Sequence, residues 1–396
     1  AKATEKRFHG TMWENLCLDK ALFHLEQGSL PLPTIKEFAW ILQKCRKKKS
    51  SSCALRLYNY MKRNGVEDHS SLGNYLVPLL TESGYILDAR HVFDKMLFRN
   101  EWSWSSLICG YAKLGKPEES LHLYHGMRKD HSLYPLGHTY VTLLKACVQL
   151  KDLERGVDIH GEVARNGLLE RDPFMGSSLV DMYAKCGSIL KAQEVFDGLQ
   201  VRDIVTWTAL IAGYAENGHS EAALMCYEKM RLDGILPDAS TIVCVLKACS
   251  GMRSYDRARE IHMEIERQGW VKRSLFIGNA LIDLYVKSGY FAKARQVLGE
   301  MLYPDVISWT SLIYGYSEHG YNLEAIGCFE EMQIKGVYPN LVTFICLLKA
   351  CGGLVDIEKG LEIHTKILKL GLMERDVVIG NTLVDMYAKC GLPEAA

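Results

Sequence analysis

The chain has 396 residues, 48% of them hydrophobic, and its 47 basic side chains cancel its 47 acidic ones. That balance excludes a global electrostatic pull toward nucleic acid or an anionic membrane, so a local stripe would have to meet such a partner. No apolar run is long enough to span a bilayer. The thirteen cysteines include no Cys-x-x-Cys pair, so they read as reduced core residues in a non-secretory compartment.

In chain order, residues 1–34 hold one helix-like stretch, Met12 to Gln27, which reads as a degenerate unit shielding the first full one. The one run of like charge, Arg46-Lys47-Lys48-Lys49, falls at the turn of the next unit. A solvated turn is the simpler reading of it, and phosphate contact is the alternative.

Beyond this point the chain repeats itself every 102 or 103 residues. Trp104 recurs as Trp207 and Trp309, Cys147 as Cys249 and Cys351, and His160 as His262 and His364. Met182-Tyr183-Ala184-Lys185-Cys186-Gly187 returns at 284–289 and 386–391. A fixed period of this kind marks a solenoid, in which each unit buries its apolar face only against its neighbours. Each period holds three units of 31 to 36 residues. In the unit at 204–238, Trp207, Leu210, Ile211 and Tyr214 form one helical stripe, with Thr206 a plausible cap and Gly218 the stop. Ser220 is a plausible cap for a second helix with the stripe Ala223, Leu224, Tyr227 and Met230, ended by Gly234 and Pro237. The same register places units at 35–69, 70–100, 101–136, 137–172, 173–203, 204–238, 239–274, 275–305, 306–340 and 341–376, with a truncated unit at 377–396. The fold class is all-α.

Val205-Thr206-Trp207-Thr208-Ala209-Leu210-Ile211, Val245-Leu246-Lys247-Ala248-Cys249 and Leu179 to Gly187 resemble the P, L and S units of plant pentatricopeptide repeat proteins of the PLS class. The resemblance covers residues 35–396 and makes the unit order L, S, P from residue 35. It implies a right-handed superhelical α-solenoid that binds single-stranded RNA, one nucleotide per hairpin, in a mitochondrion or chloroplast. It further implies selection of cytidines for C-to-U editing, through editing cofactors or a zinc-dependent deaminase supplied by a C-terminal extension. The chain opens on Ala1 and stops in mid-repeat at Ala396, so a transit peptide and such an extension are expected outside it. The deaminase signature needs His-x-Glu followed by Pro-Cys-x-x-Cys. His160-Gly161-Glu162 and His262-Met263-Glu264 match only its first half, so no catalytic residue, metal ligand or cofactor is expected and both histidines read as packed repeat residues. Splicing or transcript stabilisation is the alternative role, and a tetratricopeptide-like peptide scaffold is the alternative of another class. No membrane partner is expected.

In the resembled family, the fifth and last residues of a unit read the base. The fifth is polar in every P and S unit, as Asn74, Ser105, Ser177, Thr208, Asn279, Thr310 and Asn381. Short hydroxyls and amides suit a Watson–Crick edge. The L units carry Ala39, Val141, Val243 and Ile345 there, which makes them spacers or weak readers. Carried over pair by pair, Asn74 with Asn100 implies C, and Ser105 with Leu136 at most a weak purine preference. Ser177 with Asp203 and Thr208 with Asp238 imply G, Asn279 with Asp305 implies U, and Thr310 with Asn340 implies A. Asn381, without its partner, implies a pyrimidine. The resulting target is 5′-CRNGGNUANY-3′. Four and eight residues beyond the fifth position stand Lys145, Lys247 and Lys349 in L units and Lys113, Lys185, Lys287 and Lys389 in P and S units. This phase-locked row is expected to touch phosphates. The second residue, as in Val205, Phe276 and Ile307, would wedge between bases, and core packing accounts for it equally well.

Overall fold

The computed structural model describes residues 13, 16–67, 69–129, 133–252, 255–373, 376–392 and 394. Its regular structure is entirely helical, with 24 helices and no strand among the described residues. The chain forms two compact units, Ala1–Gln200 and Val201–Ala396.

Within each unit the chain runs as antiparallel hairpins. In the second, Ile204–Glu216 pairs with Ser220–Leu232, Ala239–Met252 with Tyr255–Arg267, and Leu275–Lys287 with Phe291–Glu300. The first helix of each hairpin also packs against the first helices on either side, so these helices form a continuous layer inside each unit. Trp207, Leu210 and Ile211 are buried, as are Ala223, Leu224, Tyr227 and Met230 on the facing helix.

Unit length is set by how the helices stop. P and S first helices have 13 residues and end on a left-handed glycine, such as Gly218 at φ 80° or Gly289 at φ 78°. The L helices Ile35–Lys48, Gly137–Leu150 and Leu341–Leu354 have 14 residues and stop on left-handed Lys49, Lys151 and Val355. The S units lose their residues in the second helix, which spans only 10 in Ile86–Lys95, Ile189–Gly198 and Phe291–Glu300.

Four local expectations need correction. The N-terminal helix is Leu18–Gln27; Cys17 is already extended, and Met12 lies outside the described residues. Arg46, Lys47 and Lys48 form the last turn of a helix rather than the turn after it, where basic residues complement the exposed carbonyls. Ser220 is the first helical residue and His219 stands at the cap. Thr206 does not cap its helix either: Asp203 does, and Thr206 is the third helical residue, whose N–H donates to Asp203 Oδ1 at 2.9 Å.

Candidate nucleic-acid interface

The Asp203 cap sets the pattern of the whole site. The final residue of one unit is the N-cap of the first helix of the next, as Asn100, Asp203, Asp305 and Asn340 all show. A capping side chain must turn an acceptor inward to the third residue's N–H, which fixes the atom left facing outward. Asn100 Oδ1 accepts from Ser103 N at 2.9 Å, Asp238 Oδ1 from Thr241 N at 2.8 Å, Asp305 Oδ1 from Ser308 N and Asn340 Oδ1 from Thr343 N at 2.9 Å. The outward atom is therefore Oδ2 in an aspartate, an acceptor, and Nδ2 in an asparagine, a donor.

A third side chain ties the cap to the fifth residue. Thr241 Oγ1 donates to Asp238 Oδ1 at 2.8 Å and lies 2.7 Å from Thr208 Oγ1. Having spent its one proton on the carboxylate, Thr241 must accept from Thr208, so the Thr208 lone pairs face outward. Thr343 repeats the arrangement, 2.9 Å from Asn340 Oδ1 and 2.7 Å from Thr310 Oγ1. Ser308 donates to Asn279 Oδ1 at 2.5 Å and lies 2.9 Å from Asp305 Oδ1, while Asn279 Nδ2 donates to Asp305 Oδ1 at 3.3 Å. This turns the Asn279 carbonyl inward and leaves an amide proton facing out. Asn74 is held by the backbone instead: its Oδ1 accepts from Asn100 N at 3.1 Å and its Nδ2 donates to Phe98 O at 3.4 Å.

The remaining fifth residues are placed differently. Ser177 donates to Phe174 O at 3.0 Å within its own helix, and Asn381 is exposed. Ser105 and Thr139 are both buried, and neither hydroxyl has a hydrogen-bond partner. Their cap is Leu136, which offers no side-chain acceptor.

The second residue is not a core position: Val205, Phe276 and Ile307 are exposed, as are Trp102, Phe174, Val342 and Val378 at the same phase. Core packing therefore does not account for these side chains, although the phase is not uniformly apolar, since Lys36, Ser71, His138 and Ser240 also stand there. Asn74, Asn100 and Trp102 line one groove of about 550 Å³ together with Arg46, Ser71 and Tyr75.

The lysine row is less free than its phase suggests. Lys185, Lys287 and Lys389 pair with Asp181, Asp283 and Asp385 one turn earlier at 2.8, 2.7 and 2.6 Å, and Lys349 pairs with Glu318 at 2.8 Å. Lys113, Lys145 and Lys247 are exposed and form no ion pair among the described residues. In the basic run, Arg46 is held by Glu82 at 2.5 Å and Lys48 by Asp19 at 2.7 Å.

The recurring histidines have structural roles. His160, His262 and His364 Nδ1 lie 2.9, 2.7 and 2.8 Å from the hydroxyls of Tyr183, Tyr285 and Tyr387. Burial lowers the pKa of His160 and of His262. Glu162 accepts from Tyr124 at 2.7 Å and pairs with Arg128, so it stands in a buried ion-pair network rather than beside a metal-bound water. His262, Glu266 and Glu300 are the one group of three or more His, Cys, Asp or Glu among the described residues whose ligand atoms all lie within 4.8 Å of one another. They do not recur, since the same phases carry Ala164, Gly198 and Leu368. Burial pushes the Cys147, Cys249 and Cys351 thiols up to about 12, which leaves them protonated and unreactive.

The PPR repeat family model matches residues 202–251 and 304–353, and the PPR repeat model matches 102–132, 138–168, 177–204 and 279–303. A chloroplastic pentatricopeptide repeat-containing protein of Arabidopsis thaliana is 32% identical over 89% of this chain and 40% of its own length. A mitochondrial one from the same plant is 36% identical over 81% of this chain and 46% of its own length. The chain thus spans less than half the length of these two curated relatives. Among solved structures, the pentatricopeptide repeat protein PPR10 in complex with an 18-nt psaJ RNA element matches with a TM-score of 0.59 at 20% identity, over 96% of this chain and 60% of that one. With repeat matches over more than half its length on an all-helical fold of stacked hairpins, the chain belongs to the pentatricopeptide repeat family.

Proposed function

We propose that the chain reads single-stranded RNA base by base through its P and S units. The observation that carries this is the outward chemistry left by each capped pair. Thr208 with Asp238 offers two acceptors, which suits the adjacent N1–H and N2–H donors of guanine. Thr310 with Asn340 offers an acceptor and a donor, which suits adenine N6–H and N1. Asn279 with Asp305 offers a donor and an acceptor, which suits uracil O4 and N3–H. Asn100 adds an outward donor beside Asn74, in keeping with the cytosine N3 acceptor. Exposed second-position side chains would stack between bases, and the unpaired lysines would meet phosphates.

Competition binding tests this with 5′-CRNGGNUANY-3′ RNA against a scrambled strand. One or more base contacts should favour the first strand by about tenfold or more. Equal, weak binding to both would favour a peptide-binding scaffold. The rotation of unit lengths supports the PLS class, and with it a role in choosing cytidines for C-to-U editing through a C-terminal extension. Chloroplastic and mitochondrial relatives support an organellar location. Loss of the protein should leave a cytidine near the bound sequence unedited; a retained intron or a shortened transcript instead would assign it to splicing or stabilisation.

A further inference from the structure

We infer that base choice in the units at 204–238, 275–305 and 306–340 is set by a third residue, the hydroxyl at the third position of the following helix, acting as a positioning residue. This rests on the proposed reading of the base by the fifth and last residues. Thr241, Ser308 and Thr343 are buried and touch both members of the pair that precedes them. A hydroxyl has one proton and two acceptor sites. Thr343 uses all three: it donates to Asn340 Oδ1, accepts from Asn340 N at 3.2 Å and accepts from Thr310. That saturation removes the rotational freedom of the Thr310 hydroxyl, which would otherwise present either a proton or a lone pair to the base.

The unit at 101–136 is the natural counter-example. Ser105 and Thr139 occupy the same phases as Thr310 and Thr343, but Leu136 replaces the capping side chain. Both hydroxyls are left without a hydrogen bond although they are almost fully buried. The Leu136 backbone already has the extended geometry of a cap, with φ −68° and ψ 153°. Only the side-chain acceptor is missing.

Two variants test the inference with the whole chain, scored by competition among four RNAs that differ at one nucleotide. Thr241→Val should lower the preference for G at the nucleotide read by Thr208 and Asp238 by about tenfold, equivalent to one base contact. It should leave the ranking at the nucleotide read by Thr310 and Asn340 unchanged. Thr241→Ser should keep the wild-type ranking, which a merely structural role for the methyl group would not predict. Leu136→Asn should create a preference for A of about tenfold at the nucleotide facing Ser105. Asparagine is chosen because Asp172 Oδ2 lies 3.1 Å from where a Cβ on neighbouring Gly137 would stand, and a second carboxylate there would be repelled. If the wild type ranks all four bases equally at the Thr208 nucleotide, the underlying reading fails. If it prefers G and Thr241→Val keeps that preference in full, the positioning inference alone fails. Should Thr241→Val lose its helical circular dichroism, Leu136→Asn decides: a gained preference for A upholds the inference and an unchanged ranking overturns it.

Discussion

The helices Ala239–Met252 and Leu275–Lys287 pack side by side and carry the same register, yet they divide the chemistry between them. The second, from an S unit, presents the Asn279 amide at the fifth position, and its Lys287 is held 2.7 Å from Asp283. The first, from an L unit, has Val243 at that position, and its Lys247 forms no ion pair among the described residues. Lys185 with Asp181 and the unpaired Lys145 repeat the contrast in the other compact unit. A phase-locked lysine is therefore not equivalent from unit to unit. On the proposed reading, S units discriminate bases with little net charge, and the L units at 137–172 and 239–274 grip the backbone with little discrimination, whereas in the L unit at 341–376 Lys349 is held by Glu318.

The largest effect should come from moving base chemistry between units. Asn279→Thr replaces an outward donor by an outward acceptor beside Asp305, recreating the Thr208–Asp238 pair. Its nucleotide should then prefer G over U by roughly tenfold or more. Four RNAs differing at that one position measure it, and an unchanged ranking would show that the register or the pairing is wrong.

Charge removal comes next. Lys145→Ala with Lys247→Ala should weaken every single-stranded RNA alike and flatten log K against log salt by about 0.7 for each phosphate partner removed. Lys185→Ala with Lys287→Ala should flatten it less, because each of those lysines faces an aspartate. Equal slopes for the two double variants would make L and S lysines equivalent after all.

A smaller effect in the opposite direction is expected of Asp283→Asn. An exposed pair one turn apart contributes only about 0.3–0.5 kcal/mol, so the fold should tolerate its removal. The released Lys287 should tighten RNA binding about twofold and steepen the salt dependence. Weaker binding would mean that Asp283 does more than neutralise Lys287.

The smallest effect concerns pH and the His160–Tyr183 pair. Burial holds the folded pKa of His160 below the unfolded value of 6.5, so the unfolded chain binds the proton first. The stabilisation is complete above pH 6.5 and is lost as pH falls through the lower folded value. His160→Gln should therefore show a shallower fall in Tm between about pH 7 and pH 5 than the wild type. Parallel curves would count against burial as the cause.

The repeat and its helices are legible in the recurrence of Trp104, Cys147 and His160, because a solenoid's core is local and each unit repeats the same apolar stripe. The pairing of Lys185 with Asp181 is also legible in principle, since carboxylate and ammonium stand four residues apart on one helix. Thr206 is harder. Threonine before a tryptophan resembles a cap, and only the geometry shows Asp203 taking that place with Thr206 inside the first turn. A signal for the third hydroxyl is present in Ser103, Thr139, Thr206, Thr241, Ser308 and Thr343, polar residues recurring at a buried phase. Its partners cannot be read from the chain, because the bonds join residues 33 apart in Thr208 and Thr241 and again in Thr310 and Thr343. The exposure of Phe276 is equally hidden, since helical periodicity alone does not say which of two adjacent faces meets solvent.

Because the last residue of a unit caps the next helix, its identity is chosen twice over. Asparagine and aspartate cap about equally well, and alanine in their place costs about 1 kcal/mol. On the proposed reading, exchange between those two redirects a unit from one base to another with almost no loss of folding stability, whereas a residue without a side-chain acceptor, such as Leu136, gives up the cap bond. On that same reading, a target sequence changes by isosteric steps while the scaffold that holds it keeps its stability.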